Sequence, residues 1–304
     1  MPEPANPPAV TTAGTAIVTA ADRAIFPLLV GLLRSLAGLD RGRFAVCLID
    51  LGLTPEQRAY VAPHCARIEP IDEARIVHPA PDLIERIAPR VPFWRALTAR
   101  PFVPEYFPGF RRYIGVDADT WFQRLDVLDF MDQEMARGRL VIAPEMDVAY
   151  KTFHAADAHE DFVKDKTTLT RGFFGDDMAA MTGAMPYYNI GLYGLPADAP
   201  HWAMFKHYLT EVTKTRFHFL CESVTFNIVM LQLRNFTALP AACNWMCTLA
   251  SPVKGADGLW HSPAWPFPVI EMLHLTGASK MERYVPAGLL YGGGAYLEEI
   301  AGLL

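Results

Sequence analysis

At 304 residues the chain is long enough for one large domain or two small ones. Just over half of it (51%) is hydrophobic, which supplies a sizeable core and excludes wholesale disorder. A formal net charge of −6 argues against a nucleic-acid binder, whose footprint is basic, and points instead to a small anion held locally.

The opening MPEPANPPAV is acidic and proline-rich with no basic n-region, so residues 1–14 read as a disordered lead-in and not a signal peptide. Folded sequence is expected from Thr15, as a single α/β domain over 15–304. Thr15–Thr19 and Phe44–Ile49 are short β-branched or apolar runs, and Ile25–Leu39 between them has helical apolar spacing that stops near Gly38. Strand, helix, strand over this length predicts a βαβ unit with parallel strands. Thr54-Pro55-Glu56-Gln57 then reads as an N-cap with proline at the first helical position.

Pro79–Pro108, rich in proline and aromatics, should be short turns and helices. Arg112–Val116 is the next predicted strand and runs into Asp117-Ala118-Asp119. Leu140–Ala143 and Tyr188–Tyr193 read as strands, separated by a polar inserted loop over about 151–177. Pro200–Thr213 and Leu220–Leu233 look helical, and Val269–Leu273 is a late strand leading into His274. No internal repeat and no linker divides the chain. Ala24–Leu39, the greasiest stretch, is interrupted by Pro27 and Arg34 and too short to be a transmembrane segment. The protein therefore reads as cytoplasmic, with peripheral attachment at the inner membrane face left open. Five cysteines (Cys47, Cys65, Cys221, Cys243, Cys247) make no even framework and read as free thiols in a reducing compartment. Cys243 and Cys247 lack the second Cys or His pair of a zinc site.

Two carboxylates at i and i+2 on an extended run project to one side. Asp117 and Asp119 would repel each other without a cation, and oxygen ligands suit Mn2+ or Mg2+. Such an ion on a diphosphate would neutralise a leaving group. An isolated DxD is weak, since a strand-end turn with solvated aspartates reads the same way. A phosphatase nucleophile motif, with Asp176-Asp177 as a second acidic pair, is a rival weakened by Trp121 where Thr or Val is wanted. His274-Leu-Thr-Gly277-Ala-Ser-Lys280 supplies what the aspartates lack: an imidazole as third ligand, a glycine admitting a phosphate to the backbone, and a cation.

On these motifs the sequence resembles the nucleotide-sugar transferases of the GT-A fold, and within them glycosyltransferase family 8. The resemblance runs in order along most of the chain. Ile17–Asp22 resembles the opening strand whose end holds the nucleoside, which would place Thr19, Ala20 and Asp22 there. Arg100, seventeen residues before Asp117, falls where the family has a basic residue reaching the donor. Tyr113–Thr120 is similar to the metal-binding strand, with Asp117 and Ala118 at the nucleotide. Tyr187–Gly191 is similar to the segment whose Asn, here Asn189, touches the sugar. His274, Gly277 and Lys280 match the block on metal and diphosphate. Glu222-Ser223-Val224 stands where the family has Asp-Gln-Asp, and Met281-Glu282 replaces Pro-Trp after the lysine.

The resemblance implies a Rossmann-like GT-A domain with a mainly parallel central sheet. It implies a hexosyltransferase using a nucleotide-sugar, a UDP-sugar with Mn2+ (or Mg2+), and retention of configuration. Asp117, Asp119 and His274 would hold the metal, Gly277 and Lys280 the diphosphate, and Arg100, Asn189 and Glu222 the sugar. The acceptor, whether glycan, lipid-linked or protein, is not readable; the 151–177 segment is the place to look for its binding site. Alternatives are a catalytically silent nucleotide-sugar-binding protein, motivated by Glu222-Ser223, and the phosphatase. A nucleotidyltransferase would need a glycine-rich loop after the first strand. Trp94, Phe107, Trp121, Trp202, Trp245, Trp260 and Trp265 could stack on sugars, but core packing accounts for most of them.

Overall fold

A computed structural model describes residues 14–183 and 185–304; most of the 1–14 lead-in lies outside them. The first half of the sheet forms as the apolar runs predict. β1 (Thr15–Ala21), α1 (Phe26–Ser35), β2 (Phe44–Asp50), α2 (Pro55–Val61) and β3 (Arg67–Pro70) alternate, and β1 to β3 are parallel neighbours. Thr54 caps α2 reciprocally with Gln57, whose backbone N–H donates to Thr54 Oγ1 at 3.2 Å. The proline- and aromatic-rich stretch forms short helices α3 (Pro81–Ile87), α4 (Trp94–Ala99) and α5 (Val103–Tyr106), with a 3₁₀ turn at Arg100–Phe102.

β4 (Arg112–Val116) returns beside β1, and β5 (Thr120–Phe122) follows after the two aspartates. α6 (Asp126–Ala136) and β6 (Leu140–Pro144) come next. The segment expected as a loop over 151–177 is instead helical: α7 (Lys151–His154), α8 (Ala156–Phe174) and the start of α9 (Asp176–Thr182). Only Thr170 of α8 is fully buried, so the polar composition reflects a solvated helix and not an irregular connection. β7 (Tyr188–Pro196), α10 (Pro200–Thr213), α11 (Cys221–Leu233) and β8 (Phe236–Ala238) complete the main layer.

The central sheet has seven strands in the order β3-β2-β1-β4-β7-β6-β8. Only β7 runs against its neighbours, so four of the six pairings are parallel, in keeping with the expected mainly parallel sheet. One face packs on α1 and α6, the other on α4, α10 and α11. Gly115 in β4 lies opposite Tyr193 in β7, where a Cβ would fall 2.1 Å from the tyrosine ring.

The late strand is shorter than expected and leaves the central sheet. After β9 (Trp245–Met246) and a small hairpin of β10 (Val253–Lys254) and β11 (Trp260–His261) comes β12 (Met272–His274); Val269 makes only an isolated bridge to His261. β12 pairs antiparallel with β5 and parallel with β9, forming a three-stranded sheet at the C-terminal end of β4. α12 (Lys280–Tyr284) follows.

Candidate metal and diphosphate site

β4 ends at the place where β1 has β2 on one side and β4 on the other. Ligands of open α/β sheets bind at the carboxyl ends of strands at such a divergence. Asp117 and Asp119 sit in a turn there with both backbones pinned. The Asp117 N–H donates to Gly191 O (3.0 Å), and the Asp119 carbonyl accepts from Leu275 N (2.9 Å). The Thr120 hydroxyl closes the turn on Asp117 O at 2.8 Å.

The register of β12 on β5 sets His274 opposite Thr120 and so brings its ring over the aspartates. His274 Nε2 is 3.6 Å from Asp117 Oδ2 and 3.5 Å from Asp119 Oδ1. One ligating atom from each of the three residues lies within 4.8 Å of the others. Asp119 and His274 are buried and Asp117 is half-buried, so the set faces a partly open site. Two carboxylates and an imidazole at these separations fit a divalent cation of the Mn2+ or Mg2+ kind.

Cations flank the set. Lys280 pairs with Asp119 Oδ2, and Arg100 Nη2 donates to Asp117 Oδ1 at 2.6 Å. Burial works against ionised Asp119, but His274 and Lys280 outweigh it and hold the carboxyl well below the usual range. Arg100 also pairs through Nε with Glu222 and donates from Nη1 to Ile190 O at 2.5 Å. Burial pulls the guanidinium down, yet Glu222 and Asp117 together keep it above its ordinary value. Glu222, only 3% exposed, is pushed up to about 8, chiefly by desolvation that Arg100 only partly offsets; Asp117 adds repulsion.

Not every expected contact faces the same way. Asp22 is at the end of β1, but its Oδ1 accepts from Ala24 N (2.9 Å) and Ile25 N (3.0 Å), starting α1. Alternation along β1 puts Thr19 in line with Ile17 and Ala21, and Thr19 also lines, with Ala20, Arg100, Asp117 and Tyr193, a cavity of about 60 Å³. Ala118 is buried in the α1-side core. Gly277 has φ +94°, which a side chain would strain, and is exposed three residues before Lys280. Asn189 Oδ1 accepts from Gly191 N (2.8 Å) and Asn244 Nδ2 (3.0 Å), while its Nδ2 donates to Glu145 Oε1 (2.8 Å).

Sequence reasoning missed Asn244, Glu145, Lys166 and Tyr193. Asn244 carries no motif in the sequence, yet its Oδ1 lies 3.0 Å from His274 Nδ1. Glu145, directly after β6, gave no signal beyond a carboxylate at a strand end. Of the tryptophans, Trp94, Trp121, Trp202 and Trp245 are buried, as is Phe107; Trp260 is half-buried, and Trp265 is 82% exposed.

No protein-family model matches the chain, and no curated protein matches it in sequence. Solved structures do. The WbbM bifunctional glycosyltransferase superposes with a TM-score of 0.60 at 15% identity, over 97% of this chain and 52% of that one. The chain thus spans about half of the bifunctional protein. The galactosyltransferase LgtC, solved with donor and acceptor sugar analogues, superposes with a TM-score of 0.57 at 17% identity, over 95% of this chain and all of that one (100%). The chain therefore has the GT-A fold, of the kind that its family-8-like motifs imply.

Proposed function

We propose that the protein is a metal-dependent glycosyltransferase. It moves a hexose from a nucleotide-sugar, with UDP as nucleotide and Mn2+ as ion, to a glycan, lipid-linked or protein acceptor, with retention of configuration. The observation that carries this reading is the convergence of Asp117, Asp119 and His274 beside Lys280 and Arg100 at the carboxyl end of β4.

Asp117, Asp119 and His274 would hold the ion, whose charge stabilises a departing diphosphate when bound. Lys280 adds its ammonium to that diphosphate, and Gly277 lets the backbone approach it. Thr19, Ala20 and Asp22 at the end of β1 border the nucleoside. Arg100, held between Asp117 and Glu222, presents a fixed guanidinium to the hexose, and Asn189, whose Nδ2 donates to Glu145 Oε1 and weakly to Met246 Sδ, would touch it as well. Catalysis on this reading comes from charge placed in advance and from positioning. Among the described residues no helix is long and apolar enough to cross a membrane, and none is needed for this chemistry.

Titration of UDP by calorimetry, with Mn2+ and again with excess chelator, tests the reading. Binding that requires the ion and disappears in Asp119→Ala and His274→Ala is expected. Metal-independent binding, or full activity in Asp117→Asn, overturns it.

The Arg100–Glu222 pair favours a second reading. Glu222 is committed to a buried partner where the family carries a carboxylate-amide pair, which suits a nucleotide-sugar-binding protein without transfer. Metal-dependent UDP binding with neither transfer nor hydrolysis across a broad donor panel would decide for it.

A further inference from the structure

We propose that Asn244 is a positioning residue: it holds a hydrogen on His274 Nδ1 and so turns Nε2 toward Asp117 and Asp119. The inference rests on His274 being a metal ligand, but the hydrogen bonds that carry it do not.

The polarity of those bonds follows from one backbone amide. The Gly191 N–H can only donate, so the Asn189 side-chain atom 2.8 Å away must be its oxygen. The other atom of that amide is then nitrogen, and its partner, Glu145 Oε1 at 2.8 Å, can only accept while ionised. An oxygen at Asn189 in turn requires nitrogen on the Asn244 atom 3.0 Å from it. That leaves oxygen facing His274 Nδ1, also at 3.0 Å, so Nδ1 must carry the hydrogen. Reversing either amide would set N–H against N–H at Gly191 or oxygen against oxygen between the two asparagines. The set has one consistent arrangement, and it fixes the tautomer.

Water cannot substitute for these partners. Asn244 is 1% exposed, His274 3% and Glu145 7%. Lys166 of α8 brings its ammonium to 3.6 Å from Glu145 Oε2 and lies over the Tyr187 ring. The helix that sequence alone made a loop thus anchors the far end of the relay. A carbonyl-type acceptor behind a ligating imidazole both orients the ring and raises its basicity.

The experiment is long-range proton–nitrogen NMR on the full chain labelled at histidine nitrogen, without metal or nucleotide, from neutral to mildly alkaline pH. His274 is assigned by its absence in His274→Gln. A His274 ring that carries a hydrogen on Nδ1 is expected in the native chain. In Asn244→Leu the proton should move to Nε2, where the carboxylates accept it; Asn244→Asp, which keeps an acceptor at Nδ1, should restore the native tautomer. Mn2+ alone, followed by electron paramagnetic resonance, should bind Asn244→Leu about 10–100-fold more weakly. A native ring carrying its proton on Nε2 alone throughout that range overturns the proposal, as does an Nδ1 hydrogen retained in folded Asn244→Leu. Failure of UDP or Mn2+ to bind would instead count against the transferase reading and leaves the NMR result to stand by itself. The native measurement decides even if Asn244→Leu does not fold.

Discussion

A Gly191→Ala substitution places a Cβ 2.3 Å from His274 Cε1, 2.7 Å from His274 Nδ1 and 2.7 Å from Asn189 Oδ1. None of these atoms is the loose end of a flexible side chain. His274 is fixed by β12 and by Asn244, and Asn189 Oδ1 accepts two hydrogen bonds. The methyl group must therefore displace the ring or the amide. Overpacking of this kind costs about 1–3 kcal/mol. For a chain of this size that is a fall of roughly 2–10 °C in melting temperature. The larger effect is expected on binding, because a metal site tolerates only about 0.2 Å of ligand displacement. We expect Mn2+-dependent UDP affinity, read by calorimetry, to fall about 10–100-fold. Gly138→Ala is the control: its φ of +79° also strains an alanine, yet no atom lies within 4 Å of the new Cβ, so stability should drop while UDP binding stays native. Native UDP affinity in Gly191→Ala would refute the packing of the strand glycine against the ligand ring.

Glu222 sets a pH dependence. Its folded pKa of about 8 lies above the ordinary 4.5, so the native state binds the extra proton between those values. Its contribution to stability is complete below the lower value and is lost as pH rises through the upper one. Urea unfolding should thus show stability declining from mildly acidic to alkaline pH, with a flatter profile in Glu222→Gln; parallel profiles would contradict the burial argument. Asn227 receives the Tyr188 N–H at 2.9 Å and donates to the Tyr188 carbonyl at 2.8 Å, clamping α11 to β7. Asn227→Ala orphans both groups in a buried setting and should cost about 2–4 kcal/mol of unfolding free energy, with native stability counting against it. Lys280→Ala should weaken UDP binding in the presence of Mn2+ about 10–100-fold without weakening Mn2+ binding in its absence. Equal loss of both would mean that the lysine only supports the fold.

What sequence made legible was whatever is encoded locally. β-branched runs at Thr15 and Phe44 and the proline-started α2 form where periodicity and capping place them, because those signals need only near neighbours. The aspartates and His274 were legible through motif spacing, and the small β5–β12–β9 sheet that unites them was not, since its pairing joins segments about 150 residues apart. Polarity alone suggested a loop for 151–177. A helix that buries little more than Thr170 has hardly any apolar stripe to reveal it. Asn244 and Glu145 stayed invisible because an amide or carboxylate acting on another side chain leaves no periodic trace.

The electrostatics of the site give a physical reason for the metal requirement on the proposed reading. Besides the His274 ring, Asp117, Asp119 and Glu222 have Arg100 and Lys280 as their cationic neighbours among the described residues, and each cation is already engaged: Lys280 by Asp119, Arg100 by Asp117 and Glu222 together. A diphosphate arriving at these residues alone would meet no surplus positive charge and two carboxylates at close range. Adding two positive charges between Asp117 and Asp119 inverts that balance. It also relieves Asp119 of its need for Lys280, whose ammonium then has a phosphate oxygen as its better partner. On the proposed reading the same carboxylates that would repel the donor would become the reason it binds, and the half-buried setting would make each of these interactions stronger than in water. On that reading, metal and nucleotide affinity would follow from one charge balance, held in register by the ring of His274.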